Sequence, residues 1–162
     1  MCRKIIKMKS YRYTLFADYY QFYLQDEQAD GDLSDSWTKE AADNLLAVAA
    51  GTIGVGTVRN MYVSVVVEVY DSEPEEDLSV WDHVMECGID VPSGRIVIAG
   101  CTDYFPDAAR IVIPQGSYRA RIYYSVLSAL GGDAMDGDDN CKVALWLGEG
   151  AGVKVIKKRS ST

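Results

Sequence analysis

The chain has one histidine, His83, among 162 residues. A metal centre built on several histidines is thereby excluded, as is any pair of catalytic histidines. A Ser-His-Asp or Cys-His arrangement would have to recruit His83 itself. Its neighbour Asp82 would point to the opposite face of a strand and so is poorly placed to orient the ring. His83 is therefore expected to be a hydrogen-bonded structural residue. The cysteines, at positions 2, 87, 101 and 141, form no CxxC pair and have no histidine at ligand spacing. That argues against a disulfide framework and against zinc, and Cys87, Cys101 and Cys141 are expected to be small buried thiols in or beside strands. Four prolines leave little room for a long rigid linker. No stretch approaches the roughly 20 apolar residues of a membrane-spanning helix. The opening, MCRKIIKMKSYRYTL, is basic but lacks the apolar run of about seven residues that a secretory signal needs. These shortages imply a cytoplasmic chain with no cofactor, no metal and no membrane partner.

Basic residues are also scarce where they would matter for nucleic acid. Arg3, Lys4, Lys7, Lys9 and Arg12 form a basic head, and Lys154, Lys157, Lys158 and Arg159 a basic tail. Over residues 13–153 all 24 acidic residues face only seven basic ones, so that body carries −17 although the whole chain carries −8. A surface of this sign repels phosphates and attracts cationic patches on other proteins. Nucleic acid is thus not expected as a partner, and a basic protein is.

What the chain has in quantity is β-forming residues: eleven tyrosines and many valines and isoleucines. Residues 11–24, YRYTLFADYYQFYL, read as one or two strands broken near Ala17 and Asp18. Residues 26–35 read as an acidic loop. After Trp37, Thr38 is placed to cap a short helix over 38–44, and 46–57 read as a bent strand pair across Gly51. MYVSVVVEVY (61–70) is the clearest strand. Its Met61, Val63, Val65, Val67 and Val69 make one apolar face and Tyr62, Ser64, Val66 and Glu68 a mixed one. Residues 81–91 read as a strand interrupted at Gly88, Ser93-Gly94 as a hairpin turn, and 95–99 as the returning strand. Short strands at 110–114 and 142–147, a longer one after Gly116 and a last one at 153–156 complete the pattern. In the strand after Gly116, Tyr118, Ala120, Ile122 and Tyr124 share one face and Arg119, Arg121 and Tyr123 the other. Short strands with turn signals and at most one short helix predict a mainly all-β chain, an antiparallel β-sandwich with a jelly roll among the candidates. The length suits a single such domain over 1–162, with basic ends at about 1–10 and 157–162 expected to be flexible.

Three motifs invite a chemical reading. GTIGVG, with Gly51, Gly54 and Gly56, lacks the GxGxxG spacing and a following GK[ST], so a bend or bulge in a sheet explains these glycines better than a phosphate loop. GGDAMDGDDN (131–140) gathers Asp133, Asp136, Asp138 and Asp139. Asp136, Asp138 and Asn140 match the first three ligand positions of an EF-hand loop. The match ends there, because Cys141 stands where the loop glycine belongs and Leu147 where the bidentate glutamate belongs, and a solvated acidic loop is expected. No spacing selects a carboxylate pair for glycoside hydrolysis. No catalytic constellation is recognisable, and the chain is not expected to be an enzyme.

The run QFYLQD, SWTKEAA and AAGTIGVGTVRN into the valine strand resembles the competence protein J family. The residues that carry the likeness are Gln21-Phe22, Trp37-Thr38 with Glu40-Ala41, Gly51 with Ile53, and Arg59-Asn60. A weaker echo lies in Pro114, Gly116 and Tyr118. The chain departs from the family pattern in its acidic insertions at 71–77 and 131–140. The stretch 81–110 resembles a segment of bacterial proteins and implies no activity. The competence protein J resemblance implies a β-sandwich with a protein-binding role, since the known member inhibits a DNA-entry nuclease. It carries over no site residue. The expected contacts come from the acidic loops instead: Asp26, Glu27, Asp30, Asp32 and Asp35, or Glu73, Glu75, Glu76 and Asp77, set against a basic nuclease or toxin. The alternative is a small-molecule or carbohydrate-binding sandwich in which Trp37, Trp81, Trp146 or the Tyr19, Tyr20, Phe22 and Tyr23 group lines a groove.

Overall fold

In the computed structural model residues 7–17, 20–57, 62–75, 78–100, 103, 105–125, 140–149 and 152–158 are described. They form strands β1 (Lys7–Phe16), β2 (Gln21–Asp26), β3 (Leu46–Ala49), β4 (Thr52–Gly56), β5 (Tyr62–Tyr70), β6 (His83–Val91), β7 (Arg95–Gly100), β8 (Ala109–Val112), β9 (Gly116–Ser125), β10 (Asn140–Leu147) and β11 (Lys154–Lys157), with one helix, α1 (Lys39–Asn44). The mainly all-β class expected from the sequence is what is found. Two sheets are present, a six-stranded one in the order β1-β5-β10-β9-β6-β11 and a five-stranded one in the order β3-β4-β2-β7-β8. Among the described residues no helix is long and apolar enough to cross a membrane. The chain divides into two compact units, one drawn from 1–14, 63–88 and 118–162 and the other from 15–62 and 89–117.

In the first unit the two-residue alternation of side chains decides the faces. Val65, Val67 and Val69 of β5 stand in register with Cys141, Val143 and Leu145 of β10, which in turn face Tyr124, Ile122 and Ala120 of β9. All nine are buried. Each large aliphatic side chain so removed from water contributes about 1.5–3 kcal/mol. The opposite face carries Glu68, Lys142, Tyr123, Arg121, Arg119 and Trp146, as the same registers require. One pairing departs from the antiparallel expectation: β5 and β10 run parallel. Parallel neighbours need a long connection, and nearly 70 residues separate Tyr70 from Asn140, so no hairpin constraint operates here. The interruption expected at Gly88 is also absent, because β6 runs unbroken through it.

In the second unit β2 is the central strand. Phe22 and Leu24 face Val55 and Ile53 of β4 on one side and Gly100 and Ile98 of β7 on the other. The β3–β4 hairpin turns at Gly51, whose φ of 64° suits glycine. The turn expected at Ser93-Gly94 is found, with Gly94 at φ of 73° and its N–H donating to the Val91 carbonyl at 3.2 Å, but the hairpin is not, because β6 pairs with β9 and β11 and β7 with β2 and β8 of the other sheet. Thr38 caps α1 as expected, its hydroxyl accepting from Ala41 N–H at 3.1 Å. Leu45 closes the helix in the left-handed region, with φ of 60°.

The glycines of GTIGVG have a different use from the one the sequence suggested. Gly51 makes the turn, but Gly54 and Gly56 lie within the regular pairing of β4. They are small because something lies on them. A Cβ at Gly54 would stand 2.7 Å from Leu33 Cδ1 and 3.0 Å from Trp37 Cζ2, and one at Gly56 would stand 3.0 Å from Leu45 Cα. The segment between β2 and β3 is therefore laid down on the sheet through Leu33, Trp37 and Leu45. Gly54→Val is expected to cost about 1–3 kcal/mol in urea unfolding by overpacking this contact. Gly152→Ala, where a Cβ meets nothing within 4 Å, is expected to change stability by less than about 0.5 kcal/mol.

Candidate functional site

The loop after β2 is organised by its own carboxylates. Asp26, at the end of β2, is 2% exposed. It accepts hydrogen bonds from Ser93 Oγ at 2.6 Å, Ser93 N–H at 3.0 Å and Gln28 N–H at 3.0 Å. Asp30 then accepts from Asp32 N–H at 3.1 Å, and Asp32 from Ser34 N–H at 2.9 Å. Each is the short-range pattern by which an aspartate side chain mimics a backbone turn. Gln25 Nε2 donates to the Ala29 carbonyl at 3.1 Å, and Gly31 passes close over that side chain with φ of 70°. Leu33 is buried, and Trp37 Nε1 donates to Gln21 Oε1 at 2.9 Å. The loop is thus fixed at both ends and in its middle.

The five acids expected to act from this loop divide by environment. Asp26 is buried and satisfied, so its charge is committed to the fold. Glu27 is partly exposed and is paired with Arg110 Nε at 2.9 Å and Arg95 Nη1 at 3.3 Å, which cancels its charge locally. Asp30, Asp32 and Asp35 are exposed. The hydrogen bonds from Ser34 hold the Asp32 carboxyl below its ordinary value, so it is ionised at neutral pH. Of the second expected set, Glu73 is exposed but paired with Arg121 Nη2 at 3.1 Å, and Glu75 is exposed. Glu76 and Asp77 lie outside the described residues, as do Tyr19, Cys101, Asp133, Asp136, Asp138 and Asp139.

No motif pointed to a second charged cluster in the first unit. Glu86 of β6 is buried between Arg119 and Arg121 of β9. Its Oε2 accepts from Arg119 Nη2 at 2.9 Å and Nε at 3.3 Å, and its Oε1 from Arg121 Nη2 at 2.9 Å and Nε at 3.1 Å. Of the other donors, Arg121 Nη1 reaches the Pro74 carbonyl at 3.1 Å and the Tyr123 hydroxyl at 3.4 Å, and Arg119 Nη1 the Gly152 carbonyl at 3.3 Å. Arg121 also lies 4.9 Å above the Trp146 ring. Two guanidiniums against one buried carboxylate leave a surplus positive charge, which Glu73 balances. The signal that could have found the cluster is a charge at alternate positions of strands whose other residues are apolar, as in HVMECGI and SYRARIYY.

The remaining candidates are occupied structurally. His83 is fully buried, its ring edge-on to Tyr124 with centroids 5.0 Å apart. Burial pushes the Cys87 thiol up to about 12, so it is no nucleophile at neutral pH. Trp146 is buried under Arg121, Trp81 packs on Tyr123, and Trp37 packs on Gly54. All three tryptophans are therefore engaged in packing. Among the described residues no group of three or more His, Cys, Asp or Glu is placed to hold a metal ion.

No family model matches the chain, and no curated protein matches it in sequence. Solved structures do match. One is the crystal structure of ComJ, inhibitor of the DNA degrading activity of NucA, from Bacillus subtilis. It has a TM-score of 0.67 at 18% identity, covering 90% of this chain and 100% of that one. Another is described as crocagin biosynthetic gene J, with a TM-score of 0.58 at 18% identity, covering 92% and 100%. The chain therefore has a ComJ-like fold, as the resemblance in the first half of the sequence implied.

The Glu86 cluster makes a pH prediction with a definite sign. Burial pushes the Glu86 carboxyl up, but hydrogen bonds and charge from Arg119 and Arg121 outweigh it, and the folded value lies below the ordinary 4.5. The stabilisation is then fully present above about pH 4.5 and is lost as pH falls through the folded value. Glu86→Gln is expected to cost about 3–5 kcal/mol at neutral pH, because two buried guanidiniums lose their anion. In urea unfolding across the acid range, the gap between parent and variant is expected to narrow.

Proposed function

We propose that this chain is a protein-binding domain that captures a basic partner, a nuclease in the first instance, through exposed carboxylates. The observation that carries the reading is the division of labour in the 26–35 loop. Asp26 holds the loop, Glu27 is neutralised, and Asp30, Asp32 and Asp35 present charge to solvent from a backbone already fixed. A nuclease must display cationic groups to hold phosphate. A rigid row of carboxylates occupies such groups, speeds encounter with them, and spends little entropy on ordering itself. ComJ, whose fold this chain shares, is described as an inhibitor of a DNA-degrading activity, and that description is consistent with the same class of partner here.

In this reading the chain works as a single domain in the cytoplasm, without a cofactor and without catalysis of its own. It binds neither nucleic acid nor membrane, both of which present phosphates that its body repels.

Stopped-flow association with a basic endonuclease tests the mechanism. The triple variant Asp30→Asn, Asp32→Asn, Asp35→Asn is expected to associate about tenfold more slowly than the parent at low ionic strength. The difference should shrink as salt rises past about 0.15 M, where the screening length is about 8 Å. Rates unchanged by the substitutions and insensitive to salt would contradict the reading.

A further inference from the structure

Four strands lie at the edges of the two sheets, β1 and β11 in one and β3 and β8 in the other. Lysine or arginine is present in β1 (KMKSYRYTLF), β8 (ARIV) and β11 (KVIK), and such charges discourage pairing along an edge. β3 reads LAVA and carries neither charge nor proline. Residues 20–57 are all described, so β3 is seen together with the chain on both sides of it.

The register shows which main-chain groups this edge offers. Leu46 faces Val55, Ala47 Gly54, Val48 Ile53 and Ala49 Thr52. Gly56 N–H donates to the Leu45 carbonyl at 2.9 Å, and hydrogen-bonded pairs alternate along an antiparallel ladder. Ala47 and Ala49 therefore bond to β4, and the N–H and C=O of Val48 point away from it. On the far side of β4, Asp26 N–H donates to the Gly51 carbonyl and Thr57 N–H to the Tyr20 carbonyl, both at 2.8 Å, which turns Ile53 and Val55 toward β2 as the same alternation requires. Accessibility rises along the strand: Leu46 and Ala47 are buried at the α1 end, Val48 and Ala49 are half-buried, and Ala50 is exposed.

The exposed end lies against the carboxylate loop. A Cβ on Gly51 would stand 3.2 Å from Ala29 Cβ and 3.6 Å from Asp26 Cβ. Asp30 follows Ala29 and accepts from Asp32 N–H, and both aspartates are exposed. A strand added antiparallel to β3 would start beside these carboxylates and run toward α1. Its first residues would meet negative charge and its later ones an uncharged ladder. A second copy of this chain would bring a net charge of −8 to the same carboxylates, whereas a cationic segment brings the opposite sign.

We propose that the exposed end of β3 takes an extended segment of the basic partner as an added antiparallel strand, with cations at its amino end on Asp30 and Asp32 and uncharged residues paired to Val48. Main-chain hydrogen bonds supply affinity, and the carboxylates select the sign of the incoming strand. This docking mode rests on the carboxylate reading of the 26–35 loop and adds to it the conformation of the partner's segment.

The test uses the full chain and a fluorescein-labelled peptide in which two arginines precede alternating valine and threonine, followed by anisotropy at low salt. The peptide is expected to bind. Val48→Pro removes an N–H that β4 does not use, a change an edge strand tolerates. It is expected to weaken binding about threefold to tenfold, as loss of one hydrogen bond implies. The same peptide N-methylated at alternate backbone positions is expected to lose at least as much on the parent chain, because it cannot complete the ladder. Asp30→Asn with Asp32→Asn is expected to weaken binding by an amount that shrinks as salt rises. Full binding by Val48→Pro or by the methylated peptide would overturn strand addition, and the carboxylate reading would survive it if the asparagine substitutions still weaken binding. Binding that the asparagine substitutions leave unchanged would count against the carboxylates themselves, and with them this placement of the segment. A peptide that fails to bind the parent chain would also overturn the proposal, as would a concentration-dependent dimer in sedimentation that Val48→Pro abolishes.

Discussion

Asp26 ends β2 with a carboxylate that takes two hydrogen bonds from Ser93 and one from Gln28. Ser93 belongs to the turn between β6 and β7, and Gln28 to the loop that follows β2. One buried carboxylate therefore joins that turn to the loop. Charge-assisted hydrogen bonds of this kind are each stronger than a neutral pair, and a buried carboxylate without them would be costly. These bonds tie the start of the loop, at Gln28, to the turn at Ser93. Leu33 and Trp37 then bring the chain back onto Gly54, and the aspartates between those anchors are held outward.

The chain treats its negative charge in three ways. Asp26 and Glu86 are buried and fully hydrogen-bonded, and so serve structure. Glu27 and Glu73 are paired with arginines nearer the surface, where screening makes such pairs worth little to stability. Asp30, Asp32, Asp35 and Glu75 are exposed. Glu40, Asp43, Asp90, Asp103, Asp107 and Glu149 are exposed as well, so most of the acidic residues among those described lie at the surface.

Strand positions were legible because they rest on local alternation. The valines of β5, the Tyr118 to Tyr124 face of β9, the Ser93-Gly94 turn and the Thr38 cap all follow from near neighbours in sequence. Strand order was not legible, and with it the parallel pairing of β5 and β10, since that choice depends on contacts between distant segments. The site was legible only in outline. The acidic loop could be located, but nothing local distinguishes Asp26, buried against a residue 67 positions away, from Asp30 or Asp32. Arg119 and Arg121 could be placed on one face, yet Glu86 as their shared partner follows from the pairing of β9 beside β6. Gly54 and Gly56 were misread as bend or bulge positions for the same reason: what fills the space above a glycine is a tertiary fact.

The most direct measurement is a map of amide chemical shifts as a basic nuclease is added to the isotope-labelled chain. The account predicts that Asp30, Asp32, Ser34 and Asp35 shift first and together. It also predicts that Gln28 and Ser93, whose N–H groups are held by Asp26, keep their protection from hydrogen exchange in the complex. Binding that leaves the loop amides unmoved would contradict it, as would a loop whose Gln28 and Ser93 amides exchange freely before the partner arrives.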